Sequence, residues 1–182
     1  MKAGKTVRSF CAESGQKVVL RTPRWEDLDC LLGLINSLVD ERAEIVVDSK
    51  FTREREADWL RGMLEAVEGD EVVYFVAEVD GRVVASCDLH RGKGSEAHVG
   101  SVGVVVKRGF RDLGIGSEMM KTVVGQAARW GLKLLVLSVF ASNQRAIRVY
   151  ERVGFVQTGR VPMKHFRDGK YVDEISMAKV LE

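Results

Sequence analysis

Val102-Gly103-Val104-Val105-Val106-Lys107-Arg108-Gly109-Phe110-Arg111-Asp112-Leu113-Gly114-Ile115-Gly116 decides the fold. A β-branched run gives way to a basic, glycine-rich bend, and the bend opens a segment of helical period from Ser117 to Trp130. A strand therefore feeds a tight turn that feeds a helix N-terminus. The first N–H groups of a helix lack an internal partner, and the macrodipole is positive there. Gly109, Gly114 and Gly116 let the backbone approach a ligand closely, and Arg108 and Arg111 add positive charge. The junction suits a phosphate.

Two nucleotide readings fail at specific positions. Gly109 to Gly114 has the step of a P-loop, but Ile115 and Gly116 stand where a lysine and a hydroxyl residue are required. A dinucleotide fingerprint needs a third glycine where this chain has Met119. What remains, Arg111-x-x-Gly114-x-Gly116 after a valine-rich strand, resembles the acetyl-CoA pyrophosphate motif of the GNAT N-acetyltransferase superfamily. Asn143, Ala146, Tyr150, Gly154 and Phe155 resemble a second motif of that family, Asn-x-x-Ala-x-x-x-Tyr-x-x-x-Gly-Phe. One helix and one strand separate the two. Asp168 to Glu174 is similar to the tail of several GNAT branches.

Working outward, the surrounding order reads β-α-α-β-β-β-α-β-α-β-β, an α/β chain with a mixed sheet flanked by helices. Lys17–Arg21 is a first strand. Thr22 is expected to cap a helix beginning at Pro23, whose Leu28, Leu31, Leu32, Ile35, Leu38 and Val39 form one apolar stripe. Thr52 caps a second helix ending near Glu68. Asp80-Gly81 joins strands Val72–Val79 and Arg82–His90 in a hairpin. Ala97–Val106 delivers the chain to the opening motif. Leu132–Phe140, almost continuously apolar, reads as a strand covered on both faces and parallel to Ala97–Val106. Phe155–Arg160 and Tyr171–Lys179 close the chain around an Asp168-Gly169 turn. Residues 1–16, polar throughout, are expected to form a loose tail, and residues 17–182 one N-acetyltransferase domain.

Composition narrows the function classes. Across 182 residues the hydrophobic share is 46% and the charged share 30%, an ordinary globular balance. A net charge of +2 argues against nucleic acid as a partner. No apolar run approaches the ~20 residues that cross a bilayer. Cys11, Cys30 and Cys87 form an odd, scattered set without metal-ligand or disulfide spacing, so no metal is expected and a reducing cytoplasm fits.

The resemblance implies residue roles. The pantetheine arm would lie along Val104, Val105 and Val106, with the Val104 N–H donating to the thioester carbonyl. Arg111, Asp112, Leu113, Gly114, Ile115, Gly116 and Ser117 would surround the pyrophosphate through their backbone, so the side chains of Asp112 and Ile115 are expected to matter little. Asn143 would contact the pantetheine, and Tyr150 would protonate the departing thiolate. A phenol's reference pKa of about 10 lies near enough to a thiol's for that exchange. The base is open. Many relatives carry a glutamate where this chain has Ser101, which leaves His98, Glu41, Glu96, His90 or a water chain.

Three functions follow. The first is transfer of acetyl from acetyl-CoA to a small-molecule amine, with Glu41–Phe51 as a lid carrying acidic groups. The second is acetylation of a protein N-terminus or lysine, which needs an open slot between Glu41–Phe51 and the Val161–Tyr171 hairpin. The third is a coenzyme A-binding module without catalysis. The last hairpin also offers a homodimer edge by fold-level analogy.

Overall fold

The computed structural model describes residues 1–181. One eight-stranded sheet runs through it in the order β1-β2-β3-β4-β5-β6-β8-β7. The strands are β1 (Thr6–Cys11), β2 (Lys17–Arg21), β3 (Val72–Val79), β4 (Arg82–Arg91), β5 (Val99–Val106), β6 (Leu134–Phe140), β7 (Val156–Arg167) and β8 (Lys170–Val180). The helices are α1 (Leu28–Asp40), α2 (Arg53–Glu68), α3 (Ile115–Arg129) and α4 (Gln144–Arg152). Every neighbouring pair is antiparallel except β5 and β6, as expected for two strands joined through a crossing helix.

Strand alternation divides the core in two. Cys87 and Leu89 on β4 face the side where Met119, Met120 and Val123 of α3 and Ile147 of α4 pack. Tyr74 and Val76 on β3 face the other side, with Leu31, Leu34 and Leu38 of α1 and Leu60 and Val67 of α2. Of the α1 stripe expected from the sequence, Leu28, Leu31 and Leu38 are buried and Leu32, Ile35 and Val39 half-buried, while Leu34, outside that stripe, is buried as well; this buried face is what holds so short a helix in place. Asp80 and Gly81 both take positive φ, 49° and 74°, so β3 and β4 meet in a two-residue turn.

The N-terminal residues are not a loose tail. Thr6–Cys11 pairs with β2 along its length. The Thr22 hydroxyl, expected to cap a helix, instead accepts from the Lys5 N–H at 2.8 Å and donates to the Lys2 carbonyl at 2.7 Å. With that oxygen committed, the chain makes a 3-10 turn at Trp25–Asp27 and α1 starts only at Leu28. Asp27 closes that turn instead: its Oδ2 accepts from the Arg24 N–H at 2.9 Å. Both its oxygens also receive the buried Arg21 guanidinium at 2.6 Å, a bidentate pair. Thr52 behaves as expected, accepting from the Arg55 N–H.

β7 runs seven residues past its expected end at Arg160. Pro162 argues against a strand, but the ladder skips between Val161 and His165 and absorbs it in a bulge on the sheet's edge. The Asp173 carboxylate pins that bulge, accepting from the Met163 N–H at 2.8 Å and from Arg160 Nε at 2.7 Å.

Candidate active site

The site begins where two strands part. β5 and β6 pair only over Val99–Ser101 and Leu134–Val136. Beyond that point β5 keeps β4 as far as Val106, and β6 keeps β8 as far as Phe140. The two halves of the sheet diverge and open a cleft of about 1420 Å³. Val104, Tyr150, Asn143, Asp88 and Glu174 all line it.

The direction of the β5 amides follows from one bond. The Lys107 N–H donates to the Val84 carbonyl on β4 at 2.9 Å. Alternate amides share a side, so Val105 and Gly103 also point to β4. Val104 and Val106 therefore point into the cleft, where β6 is no longer within reach. A row of donors is thus offered to an extended ligand, as an unpaired sheet edge offers them to an added strand.

At the end of β5 the bend becomes a cradle. Gly109, Asp112 and Gly114 take φ of 89°, 60° and 79°. Left-handed residues among ordinary ones turn successive N–H groups inward, and the N-terminus of α3 adds its own unpaired donors. A Cβ on Gly116 would meet Val106 Cγ2 only in ordinary contact at 3.6 Å, so what the glycine keeps bare is the first turn of α3 beside the end of β5.

Side chains contribute less than the sequence suggests. Arg111 does not present a free cation: its Nε donates to the Val106 carbonyl at 2.9 Å, and its outer nitrogen is ion-paired with Glu41. Asp112 faces outward and pairs with Arg145 at 3.1 Å. Ile115, whose side chain was expected to be dispensable, is fully buried in the core beneath α3. Leu113 is partly buried, and its carbonyl accepts from the Glu13 N–H at 3.1 Å. The loop after β1 thereby leans on the cradle, with the Glu13 carboxylate close to Gly114. Ser117 lines the same mouth.

α4 supplies the opposite wall. The Asn143 carboxamide oxygen caps it by accepting from the Ala146 N–H at 3.1 Å, leaving the amide nitrogen for a ligand. Two turns on, Tyr150 is buried beside Phe155, ring centroids 6.1 Å apart. Burial pushes its phenol up to about 12, and the Asp88 charge adds to the shift.

The expected bases separate. Glu41 lines the cleft but is bound to Arg111. His98 is exposed at the start of β5, beyond the closed part of the seam, where its carbonyl receives the Lys133 and Leu134 N–H groups; it does not line the cleft. Glu96 sits in the exposed 3-10 turn Gly94–Glu96, also away from it. Sequence reasoning overlooked two carboxylates that do line it, Asp88 on β4 and Glu174 on β8. Asp88 is two residues before His90 on one strand face, a spacing that could have drawn notice. Glu174 accepts from Lys164 Nζ at 2.6 Å and contacts His165 Nε2 at 2.9 Å, with the His165 ring against Phe140. Burial acts to raise this carboxyl, but the hydrogen bonds from Lys164, His165 and Ser138 hold it below the usual range.

The end of the cleft nearest the β7–β8 turn is bridged from both sides. Arg167 Nη1 on β7 donates to the Ala43 and Ile45 carbonyls, each at 2.7 Å, and Arg42 pairs with Asp168 at 2.9 Å. The segment after α1 is thereby tied to the β7–β8 turn. Among the described residues no group of His, Cys, Asp or Glu is arranged to hold a metal ion, and no helix is long and apolar enough to cross a membrane.

This architecture has counterparts. A Sinorhizobium meliloti phosphinothricin acetyltransferase of the GNAT superfamily, solved in complex with AcCoA, superposes with a TM-score of 0.80 at 16% identity, covering 90% of this chain and 88% of that one. AaaT of Escherichia coli (strain K12), an L-amino acid N-acetyltransferase, is 31% identical over 107 residues, 58% of this chain and 66% of its own. YwnH of Bacillus subtilis (strain 168), provisionally named a phosphinothricin acetyltransferase, is 23% identical over 158 residues, 86% of this chain and 94% of its own. The sequence profile of the Acetyltransferase (GNAT) family matches residues 34–155, from the middle of α1 through the cleft to the start of β7. With the parted strands, the inward amides and the glycine cradle inside that span, this chain belongs to the GNAT family of acetyltransferases.

Proposed function

We propose that this acetyl-CoA-dependent N-acetyltransferase acts on a small cationic primary amine of the α-amino acid type. The observation that carries the reading is the bridge of Arg167 and Arg42 across the acceptor end. A polypeptide acceptor would have to thread past that bridge, whereas a small ammonium ion needs only the stretch of the cleft lined by Asp88, Ser86 and Phe140. The names of AaaT and YwnH, which refer to an L-amino acid and to phosphinothricin, support the same class.

Acetyl-CoA supplies the activated thioester. The cradle at Gly114–Ser117 would hold its diphosphate, the β5 amides its pantetheine, and the Asn143 amide nitrogen would steady the same arm. The Val104 N–H, fixed before binding, polarises the carbonyl oxygen on which negative charge develops. Tyr150 is fully protonated at any working pH, as a proton donor must be. Its raised pKa also means that it gives up its proton to sulfur only while regaining one, and the nitrogen forming the amide is the strong acid at hand.

The test is to present acetyl-CoA with a panel of amino acids, other small amines and short peptides, and to identify the products by mass. Small amines alone should be acetylated. Arg167→Ala should raise the acceptor KM about tenfold, equivalent to ~1.4 kcal/mol, and leave the acetyl-CoA KM unchanged. Preferential acetylation of peptides would overturn the reading.

A further inference from the structure

We propose that Asp88 is the base that takes the first proton from the acceptor ammonium, and that His90 positions its carboxylate and opens the way to solvent. The inference rests on the amine acetyltransferase reading above. Asp88 lies directly opposite Gly103 in the β4–β5 ladder, so the two residues share a face of the sheet. A Cβ on Gly103 would stand 2.9 Å from Asp88 Oδ1. Only the missing side chain lets the carboxylate lean across β5, beside the residue whose N–H enters the cleft. The other oxygen, Oδ2, contacts His90 Nε2 at 3.3 Å. One oxygen thus meets the site and the other meets a ring that is 46% exposed.

Charge agrees with this placement. Asp88 is felt at Tyr150 on α4, the acid of the same reaction. The hydrogen bond that the His90 imidazole donates to Asp88 raises its pKa against the opposing effect of burial. The other titratable groups around Asp88 are Tyr74, opposite it on β3, Cys87 beside it on the core side, and Glu56 of α2 behind Tyr74. Tyr74 and Cys87 are both held neutral by burial, so His90 is the one basic partner in that set.

The step balances as follows. An ammonium N–H bond breaks and its proton passes to the Asp88 carboxylate. The freed lone pair forms the N–C bond at the thioester carbonyl, and the C–S bond then breaks. The thiolate takes the Tyr150 proton, and Tyr150 regains one from the nitrogen, which keeps a single hydrogen as the amide. Asp88 releases its proton to water along the His90 edge, so one proton leaves per turnover.

The experiment compares acceptors. With an ordinary alkyl ammonium, Asp88→Asn should lower kcat by about 10²–10⁴ with the acetyl-CoA KM unchanged. With an amine already neutral at the assay pH, an aniline or an alkoxyamine, the same variant should stay within about tenfold of wild type. Asp88→Glu should recover part of the loss. Gly103→Ala, which displaces the carboxylate without removing any titratable group, should lose activity with the same selectivity. His90→Gln should lower kcat for the alkyl ammonium by less than Asp88→Asn does and leave the acetyl-CoA KM unchanged, because the carboxylate stays at the site but loses the ring that holds its outer oxygen. A readout independent of turnover is the His90 ring titration by NMR in protein without coenzyme A, which should fall in Asp88→Asn. Equal losses on charged and neutral amines, or an Asp88→Asn variant as fast as wild type, would overturn the assignment and leave the transferase standing. Wild-type protein that acetylates no amine would overturn both.

Discussion

Tyr150 sits in an apolar wall, and that surrounding decides how it can act. Removing only its hydroxyl, in Tyr150→Phe, should lower kcat by about 10²–10³ while acetyl-CoA binding, measured by calorimetry, is unchanged. Because burial holds the phenol near 12, the wild-type pH–rate profile should show no alkaline limb from this group below pH 10. Glu56 makes the opposite case, a carboxylate the chemistry does not use. It is buried at the start of α2 and raised by that burial, only partly offset by Arg55. A raised carboxyl binds its proton more tightly in the folded state, so its contribution is favourable in acid and is lost as pH climbs through the folded value. Glu56→Gln should therefore raise the melting temperature at pH 7–8 by about 2–4 °C, a gain of ~1 kcal/mol. The gain should vanish below the ordinary carboxyl range. Equal melting curves at pH 7.5 would refute it.

At the scale of the element, the turn between β5 and α3 is the proposed seat of the coenzyme A diphosphate. Gly114 combines a φ of 79° with the nearby Glu13 carboxylate. Gly114→Val should cost ~1–3 kcal/mol of backbone strain and weaken coenzyme A binding at least tenfold by calorimetry. Much of this was legible beforehand. β5, the cradle and α3 stand in sequence order, and their chemistry is in the backbone, which glycine spacing reports directly. α4 announced itself through Asn143 and Tyr150. β1 was illegible because an edge strand buries little: only Val7 and Phe10 are partly covered, so no alternating pattern stands out. The start of α1 was misplaced because Thr22 spends its hydroxyl on a distant segment, which no local rule can anticipate. Asp88 was missed for a related reason. A carboxylate on a strand reads as a solvent-facing residue until Gly103 is known to lie across from it.

Across the whole molecule, function follows from an imperfection in the sheet. Two antiparallel halves, β1 to β5 and β6 to β8, are joined by three residue pairs. Each half keeps its own ladder, so the cleft costs little of the pairing that holds either together. Burial is divided in the same spirit, with α3 and α4 on one face and α1 and α2 on the other. The cleft is lined from both sides of the seam: Asp88 and Val104 from one half, Tyr150 and Glu174 from the other.

The seam has a kinetic signature. The hydrogens on the Val104 and Val106 nitrogens lie inside a sheet yet have no carbonyl to hold them. In deuterated water they should be replaced orders of magnitude sooner than those of Gly103 and Val105, one residue away and bonded to β4. Adding coenzyme A should slow the first pair and leave the second as it was. The central strand would then record, amide by amide, where the sheet ends and the ligand begins.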